Sequence, residues 1–424
     1  MSTDTIRTWL AMSVLLCPPL HGTPPIPGIP LPEVAIRIPA PPGLPNPSRF
    51  GIAVAIEPER LFVGCDGRRD GPPLEGKVLV FEPDEFGSWA WTATLVSPES
   101  QPGDEFGSVL AMDGHHLVIG APGHDGDRGA AWCLDLTAPD DLMDSLHRIP
   151  IPNASPGDRF GESLAVRRGA IAVGAPRADV DDHLDRGRVV TSRVSPRGVE
   201  HQGEPAPARP KPGLRFGWSL AIGTMLDIGA PGADAIGPGP GKRIDRAGVV
   251  VRFEIEPPHD RVEAITRSKA GRLERFGSCL STTAGEGLLV GSPRAVLDGV
   301  RSGVVSLVSP HTMAEIGDPH QPESGFGEPL VGDRSIFIAG IPGRRDADDR
   351  PAPGVRLGRR LSQGLVPAID LLLEDRRRTL LTLALSRSGR ILAIGTPDPA
   401  VDDGPEVPGE VHLVRLEPML RRAK

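Results

Sequence analysis

Phe106-Gly107-Ser108-Val109-Leu110-Ala111-Met112, then Asp113-Gly114, then His116-Leu117-Val118-Ile119-Gly120-Ala121-Pro122, is the stretch from which the rest of the chain can be read. Two apolar segments are separated by Asp-Gly, a dipeptide that suits tight hairpin turns, so the spacing predicts a first strand over 106–112 and a second over 116–120. Downstream, Gly129-Ala130-Ala131-Trp132 opens a third apolar segment reaching Leu134, and His147–Ile151 reads as a fourth. One unit of the sequence therefore predicts four short strands.

The unit recurs. Phe-Gly pairs begin at Phe50-Gly51, Phe106-Gly107, Phe160-Gly161, Phe216-Gly217, Phe276-Gly277 and Phe326-Gly327, with steps of 56, 54, 56, 60 and 50 residues. Each is followed by Gly with Pro nearby: Gly120-Ala121-Pro122, Gly174-Ala175-Pro176, Gly229-Ala230-Pro231, Gly291-Ser292-Pro293 and Gly340-Ile341-Pro342, with Gly64-Cys65-Asp66 in the first unit. A seventh copy is Gly395-Thr396-Pro397, whose Phe-Gly partner has become Leu380-Leu381. The off-period Phe86-Gly87 reads as a turn.

A single four-stranded sheet cannot bury both faces. Radial stacking of seven such sheets buries them and protects their edges, which predicts an all-β, seven-bladed propeller of antiparallel blades. The periodic Phe residues are expected to fill the space between blades. Ile36-Arg37-Ile38-Pro39-Ala40-Pro41 resembles Arg148-Ile149-Pro150-Ile151-Pro152, the run before the third Phe-Gly, and the seventh unit ends near Leu416 after its third strand. The stretch Val34–Ile38 is therefore expected to complete the seventh blade and close the ring over residues 34–416, with 417–424 as a tail.

Composition narrows the function classes. Net charge is −8, Lys and Arg form no long basic run, and the chain has 0 Tyr, so a nucleic-acid partner is disfavoured. The cysteines Cys17, Cys65, Cys133 and Cys279 show no Cys-x-x-Cys pairing and are expected as buried thiols outside the leader. Residues 1–22 resemble a secretory signal peptide, with Arg7 ahead of the apolar run Trp9–Leu16, and the Pro/Gly-rich residues 23–33 read as a linker. A secreted, surface or periplasmic location follows as an expectation. No segment of the sequence is long and apolar enough for a transmembrane helix.

The Phe-Gly and Gly-Ala-Pro pairing resembles the FG-GAP repeat family and the propeller of integrin α-subunits, and is similar to secreted bacterial versions. The resemblance spans roughly Val34 to Leu416. It implies a calcium site between strands one and two of a blade, held by carboxylates at alternate positions. Here those hairpins include Glu57-Pro58-Glu59-Arg60, Asp113-Gly114-His115-His116 and Gly332-Asp333-Arg334, and none carries three spaced carboxylates. The family's calcium loop does not carry over. Acidic residues gather instead between strands two and three, where Asp179, Asp181 and Asp185 are candidate metal ligands.

Loops between strands two and three share one face of a propeller and are long in several units. Long loops on a rigid scaffold commonly carry recognition. Arg68, Arg69, Asp182, Arg243, Arg344 and Arg345 are the candidate contacts there, expected to be exposed, with a protein or glycan as partner. No Gly-x-Ser-x-Gly elbow, His-Glu-x-x-His helix or Gly-Lys-Ser/Thr loop is present, so no catalytic or cofactor-binding set can be assembled. The sequence points to a non-catalytic binding or adhesion scaffold. The alternative is a propeller hydrolase or lyase whose site is assembled from distant loops.

Overall fold

The computed structural model describes residues 13–16, 28–44, 48–67, 73–137, 142–236, 242–267, 269–283, 287–310, 312–318, 320–333, 335–346, 348–361, 364–373, 381–397 and 408–417. It is a ring of seven four-stranded antiparallel blades, a seven-bladed β-propeller. The first blade is Val54–Glu57, Arg60–Cys65, Lys77–Pro83 and Trp89–Leu95. The second is Val109–Met112, His116–Ala121, Ala130–Asp135 and Leu146–Arg148, and the third is Ser163–Arg167, Ala170–Ala175, Arg188–Ser195 and Gly198–Gly203. Blades four, five and six begin at Ser219, Cys279 and Leu330.

The seventh blade consists of Thr382–Leu385, Ile391–Thr396, Glu410–Arg415 and, as its outer strand, Ala35–Pro39 from near the start of the chain. Ile36 stands opposite Leu413 and Ile38 opposite Val411, which is the closure expected from the sequence. The linker reading of 23–33 is revised at its C-terminal end. There Gly28–Pro30 runs parallel to the outer strand of blade six, and Leu31 is buried in the core that blades six and seven share. Ser13–Leu16 runs parallel to Thr312–Gly317 in blade five.

Burial follows position in the blade. Second strands are covered on both sides by neighbouring blades, so Ala170–Ala175 and Ile336–Ile341 are buried at every residue and read as unbroken apolar runs rather than alternating ones. The outer strand Trp89–Leu95 is largely open. Apolar clusters straddle neighbouring blades: Phe62 and Val80 of blade one pack with Ile119 and Trp132 of blade two, and Phe50 and Val63 pack with Ala393 and Val411 across the closure. All six periodic Phe side chains, Phe50, Phe106, Phe160, Phe216, Phe276 and Phe326, are fully buried. Phe86 is 85% exposed in a turn that Asp84 holds through the amides of Phe86 and Ser88.

The glycine pattern has a backbone cause. In each of six units the amide of the Phe-Gly glycine donates to the carbonyl of the glycine before the Ala-Pro position, from Gly51 to Gly64 (3.0 Å) through to Gly327 to Gly340 (3.1 Å). That second glycine also abuts the next blade. A Cβ on Gly64 would lie 2.0 Å from the Gly107 carbonyl oxygen, and one on Gly395 would lie 2.3 Å from that of Gly51, across the closing seam. Hydroxyls clasp the same carbonyls: Ser163 to Gly217 at 2.5 Å, Ser219 to Gly277 at 2.7 Å and Thr382 to Gly51 at 2.9 Å. The seam between blades six and seven differs. Gly340 faces its own Pro329, and the joint is filled by aliphatic residues including Ile338, Leu357, Leu381, Leu392 and Ile394.

Buried charges are paired within and between blades. Arg267 joins Glu315 (2.8 Å) and Glu274 (2.5 Å), with all three side chains buried. Arg356 joins Asp370 and Asp318, each at 2.7 Å, in the same way. The Cys65 and Cys133 side chains are buried, and that of Cys279 is half-buried.

Candidate recognition face

In a meander the loops between strands two and three and the connections from one blade to the next emerge on the same face. Here they are tied together by main-chain hydrogen bonds. Gly123 donates to Asp104 (3.1 Å), Arg215 to Asp185 (3.0 Å), Phe216 to Arg186 (3.0 Å), Leu273 to Asp245 (3.1 Å) and Gly343 to Ser324 (2.8 Å). The face is thus a braced rim on the rigid ring rather than a set of independent loops.

The candidate residues read from the sequence divide on this rim. Asp182 is exposed in the turn after the third blade's second strand, and Arg243 is exposed on a two-stranded ribbon, Ala235–Ile236 with Arg243–Ile244. Arg345 is exposed, with its guanidinium bonded to the Asp349 carbonyl at 2.7 Å. Arg344 is a correction: its side chain is only 14% exposed and lies 3.4 Å from the buried Asp370, drawn inward toward the Arg356 network. Arg68 and Arg69 lie outside the described residues.

The acidic loop is occupied by its own contacts. An Asp179 carboxylate oxygen accepts the amide of Asp185 (2.8 Å), and Asp181 pairs with Arg186. Among the described residues no group of three or more His, Cys, Asp or Glu is arranged to hold a metal ion.

A cleft of about 340 Å³ opens on the rim between Asp125, Arg128, Arg148, Ile149 and Pro150. Beneath it His124 Nδ1 lies 2.9 Å from the Asp104 carboxylate, its ring is edge-on to Trp132, and Arg148 bonds Glu99 at 2.6 Å.

The residue before each periodic Phe also belongs to this face, and the sequence reading passed over it. Arg49, Glu105, Arg159, Arg215 and Arg275 all hold left-handed backbone angles, with φ between 55° and 60°. Arg49 pairs with Asp66 (2.8 Å), and Arg159 pairs with Glu105 (2.6 Å) and Glu162 (2.9 Å). Arg215 and Arg275 form no such ion pair among the described residues. The recurrence of Arg at this one position was a legible signal that attention to the long loops obscured.

The opposite face is made of the hairpins between strands one and two. Asp113 accepts the amides of His115 (3.1 Å), His116 (2.9 Å) and Gly169 (3.4 Å). Burial raises its pKa, but these amides and His116 outweigh that and hold the carboxyl below its ordinary value. Beside it, burial pushes Glu57 up, against the opposing pull of Arg387.

A model of the FG-GAP repeat matches residues 89–133, which run from the outer strand of blade one into the third strand of blade two. No curated protein matches the chain significantly.

Proposed function

From the premise that this chain is an FG-GAP repeat propeller, we propose that it is a non-catalytic binding scaffold, secreted or held at a cell surface. It recognises a protein or glycan partner through the rim of loops described above. The observation that carries this reading is the division of labour between the rim and the ring. Phe, Gly and hydroxyl residues repeat from blade to blade to fix the ring, while the braced loops differ from blade to blade and hold exposed charges at Asp182, Arg243 and Arg345. No described helix is long and apolar enough to cross a membrane. The test is capture of a partner from the native secretome by the full chain and by a D182N/R243Q/R345Q variant. Loss of capture in the variant is expected, and undiminished capture overturns the reading.

A second reading, a propeller hydrolase or lyase, is favoured by one observation. Glu57, Asp113, His115 and Arg387 converge on the opposite face. The amides around Asp113 occupy its oxygens, which leaves Glu57 and His115 as the groups able to move a proton. A hydrolase or lyase activity lost in E57Q would establish this reading in place of the first.

A further inference from the structure

Four arginines gather where blades four and five meet the mouth of the central channel on the recognition face. Arg215 and Arg275 precede the Phe-Gly of units four and five, Arg246 ends the long loop of blade four, and Arg294 follows Gly291-Ser292-Pro293 of blade five. The backbone brings them together. Phe276 donates to the carbonyl of Ala247 (2.9 Å), which sets Arg246 beside Arg275, and Gly277 donates to Gly291 (3.2 Å), which sets the Arg294 loop against the same turn. Gly217 donates to Gly229 (3.1 Å), and Gly229 is packed on the Gly277 carbonyl, which ties in Arg215 from the other side.

Arg215 lies over the Trp218 ring at 5.2 Å, so the plane of its guanidinium is held. Burial and then the charges of Arg294, Arg215 and Arg246 depress the pKa of Arg275, against the pull of Glu328.

The contrast within the ring decides what this cluster is for. Arg49 and Arg159 occupy the same position in units one and three, and each is neutralised by carboxylates within 3 Å. In units four and five no described carboxylate forms an ion pair with any of the four arginines. The nearby acids are Asp234, whose carboxylate pairs with Lys211 (2.5 Å) and accepts the Arg246 amide, and Glu328, whose carboxylate attracts Arg275 and Arg294 without forming an ion pair with either.

Four crowded guanidiniums with one nearby carboxylate, Glu328, leave an excess of positive charge that raises the energy of the empty site, and a bound anion removes that cost. Guanidinium groups match tetrahedral oxyanions through paired N–H donors, and several converging forks favour a ligand with more than one negative charge. We propose that Arg215, Arg246, Arg275 and Arg294 form a binding site for a multiply charged oxyanion bearing phosphate or sulfate groups. The proposal rests on the reading of this face as the recognition surface and names the ligand chemistry of one part of it.

The experiment is calorimetric titration of the full chain with sodium tripolyphosphate and, separately, with sucrose octasulfate, at low salt and at elevated salt. Binding of at least one probe, weakening with salt, is expected. Tighter binding of the first points to a phosphate source and of the second to a sulfated glycan. R275Q/R294Q weakens binding by about tenfold or more, and so, to a smaller degree, does R294Q alone at an exposed position. R49Q, at the equivalent paired position, leaves binding unchanged. Absence of heat with both probes, or binding that survives R275Q/R294Q, overturns the proposal. If the oxyanion fails to bind while D182N/R243Q/R345Q still abolishes partner capture, this inference falls and the recognition face stands.

Discussion

Ile38 stands opposite Val411, so the seventh blade is finished by a strand from the opposite end of the ring's sequence. Removing residues 1–41 strips that strand and exposes the edge of Glu410–Arg415 along with the buried sites of Ile38 and Leu31. Each buried aliphatic side chain contributes about 1.5–3 kcal/mol, so a loss of several kcal/mol is expected together with a broadened transition. Urea denaturation followed by circular dichroism measures it. An unchanged midpoint and slope in the truncated chain contradicts the closure.

The close approach of Gly64 to the Gly107 carbonyl makes a second test. A methyl group at Gly64 meets backbone oxygen at 2.0 Å, and main chain on both sides of a blade seam has little room to yield. G64A is expected to cost about 3 kcal/mol or more, the upper end of overpacking penalties. Gly126 provides the control: nothing lies within 4 Å of its Cβ position, and only its φ of +66° opposes a side chain, so G126A costs about 1 kcal/mol. Equal thermal shifts for the two would remove the steric account of the repeat.

The buried Arg356 network predicts a large asymmetry. R356M leaves Asp318 buried without its cation and Asp370 with only Arg344 at 3.4 Å, which costs about 3–5 kcal/mol. The triple variant R356M/D318L/D370L is expected to recover part of that loss, since replacing buried ion partners with apolar residues is often neutral, while Arg344 loses its contact with Asp370. If the single variant melts like the wild type, the network contributes no net pairing.

Glu57 and Asp113 should respond to pH with opposite signs. Asp113 has its folded pKa lowered, so it contributes stability that is present above its unfolded pKa and is lost as pH falls through the folded one. D113N is therefore destabilising at neutral pH, with a deficit that vanishes in acid. Glu57 has its folded pKa raised, so its charged form opposes folding above that value. E57Q is expected to be stabilising at neutral pH and indifferent in acid. Chemical denaturation across pH 2.5 to 7 tests both, and parallel profiles for the two variants would refute the assignment.

Burial pushes the Cys133 thiol up to about 12, with the charges of Asp113 and Asp135 adding to the shift. Thiolate is the reactive form, so alkylation of Cys133 by iodoacetamide at pH 8 should proceed only when the chain is unfolded. Peptide mapping after a short pulse reads this directly, and labelling in the native state would count against a sealed seam between blades two and three.

The ring was readable from the sequence because its joints are made by main chain. Wherever a carbonyl must approach within van der Waals distance only Gly fits, and wherever blades diverge Phe fills the gap, so both letters recur at the pitch of the blade. Boundaries were less legible. Phe106 and Gly107 read as the start of a strand, yet Glu105 and Gly107 turn through positive φ and pairing begins only at Val109. The rim was the least legible part. Arg344 looks like an exposed loop cation until Asp370, from another strand of its blade, is folded against it. Arg215 and Arg275 look like isolated charges until two adjoining turns place Arg246 and Arg294 beside them. Such pairings are set by tertiary neighbours, about which a one-dimensional pattern is silent.

One joint in the circle is unlike its fellows. Modules that share a single docking surface can miscount, skipping a neighbour or borrowing one from a second chain, a failure familiar among repeat proteins. Among the described residues, blades six and seven meet through Ile338, Leu357, Leu392 and Ile394, without the aromatic wedge and glycine notch used elsewhere. Neither partner in that joint can be exchanged for another blade without leaving an aliphatic surface against a notch cut for backbone. The odd seam therefore serves as an index mark, fixing where the count of blades starts and stops.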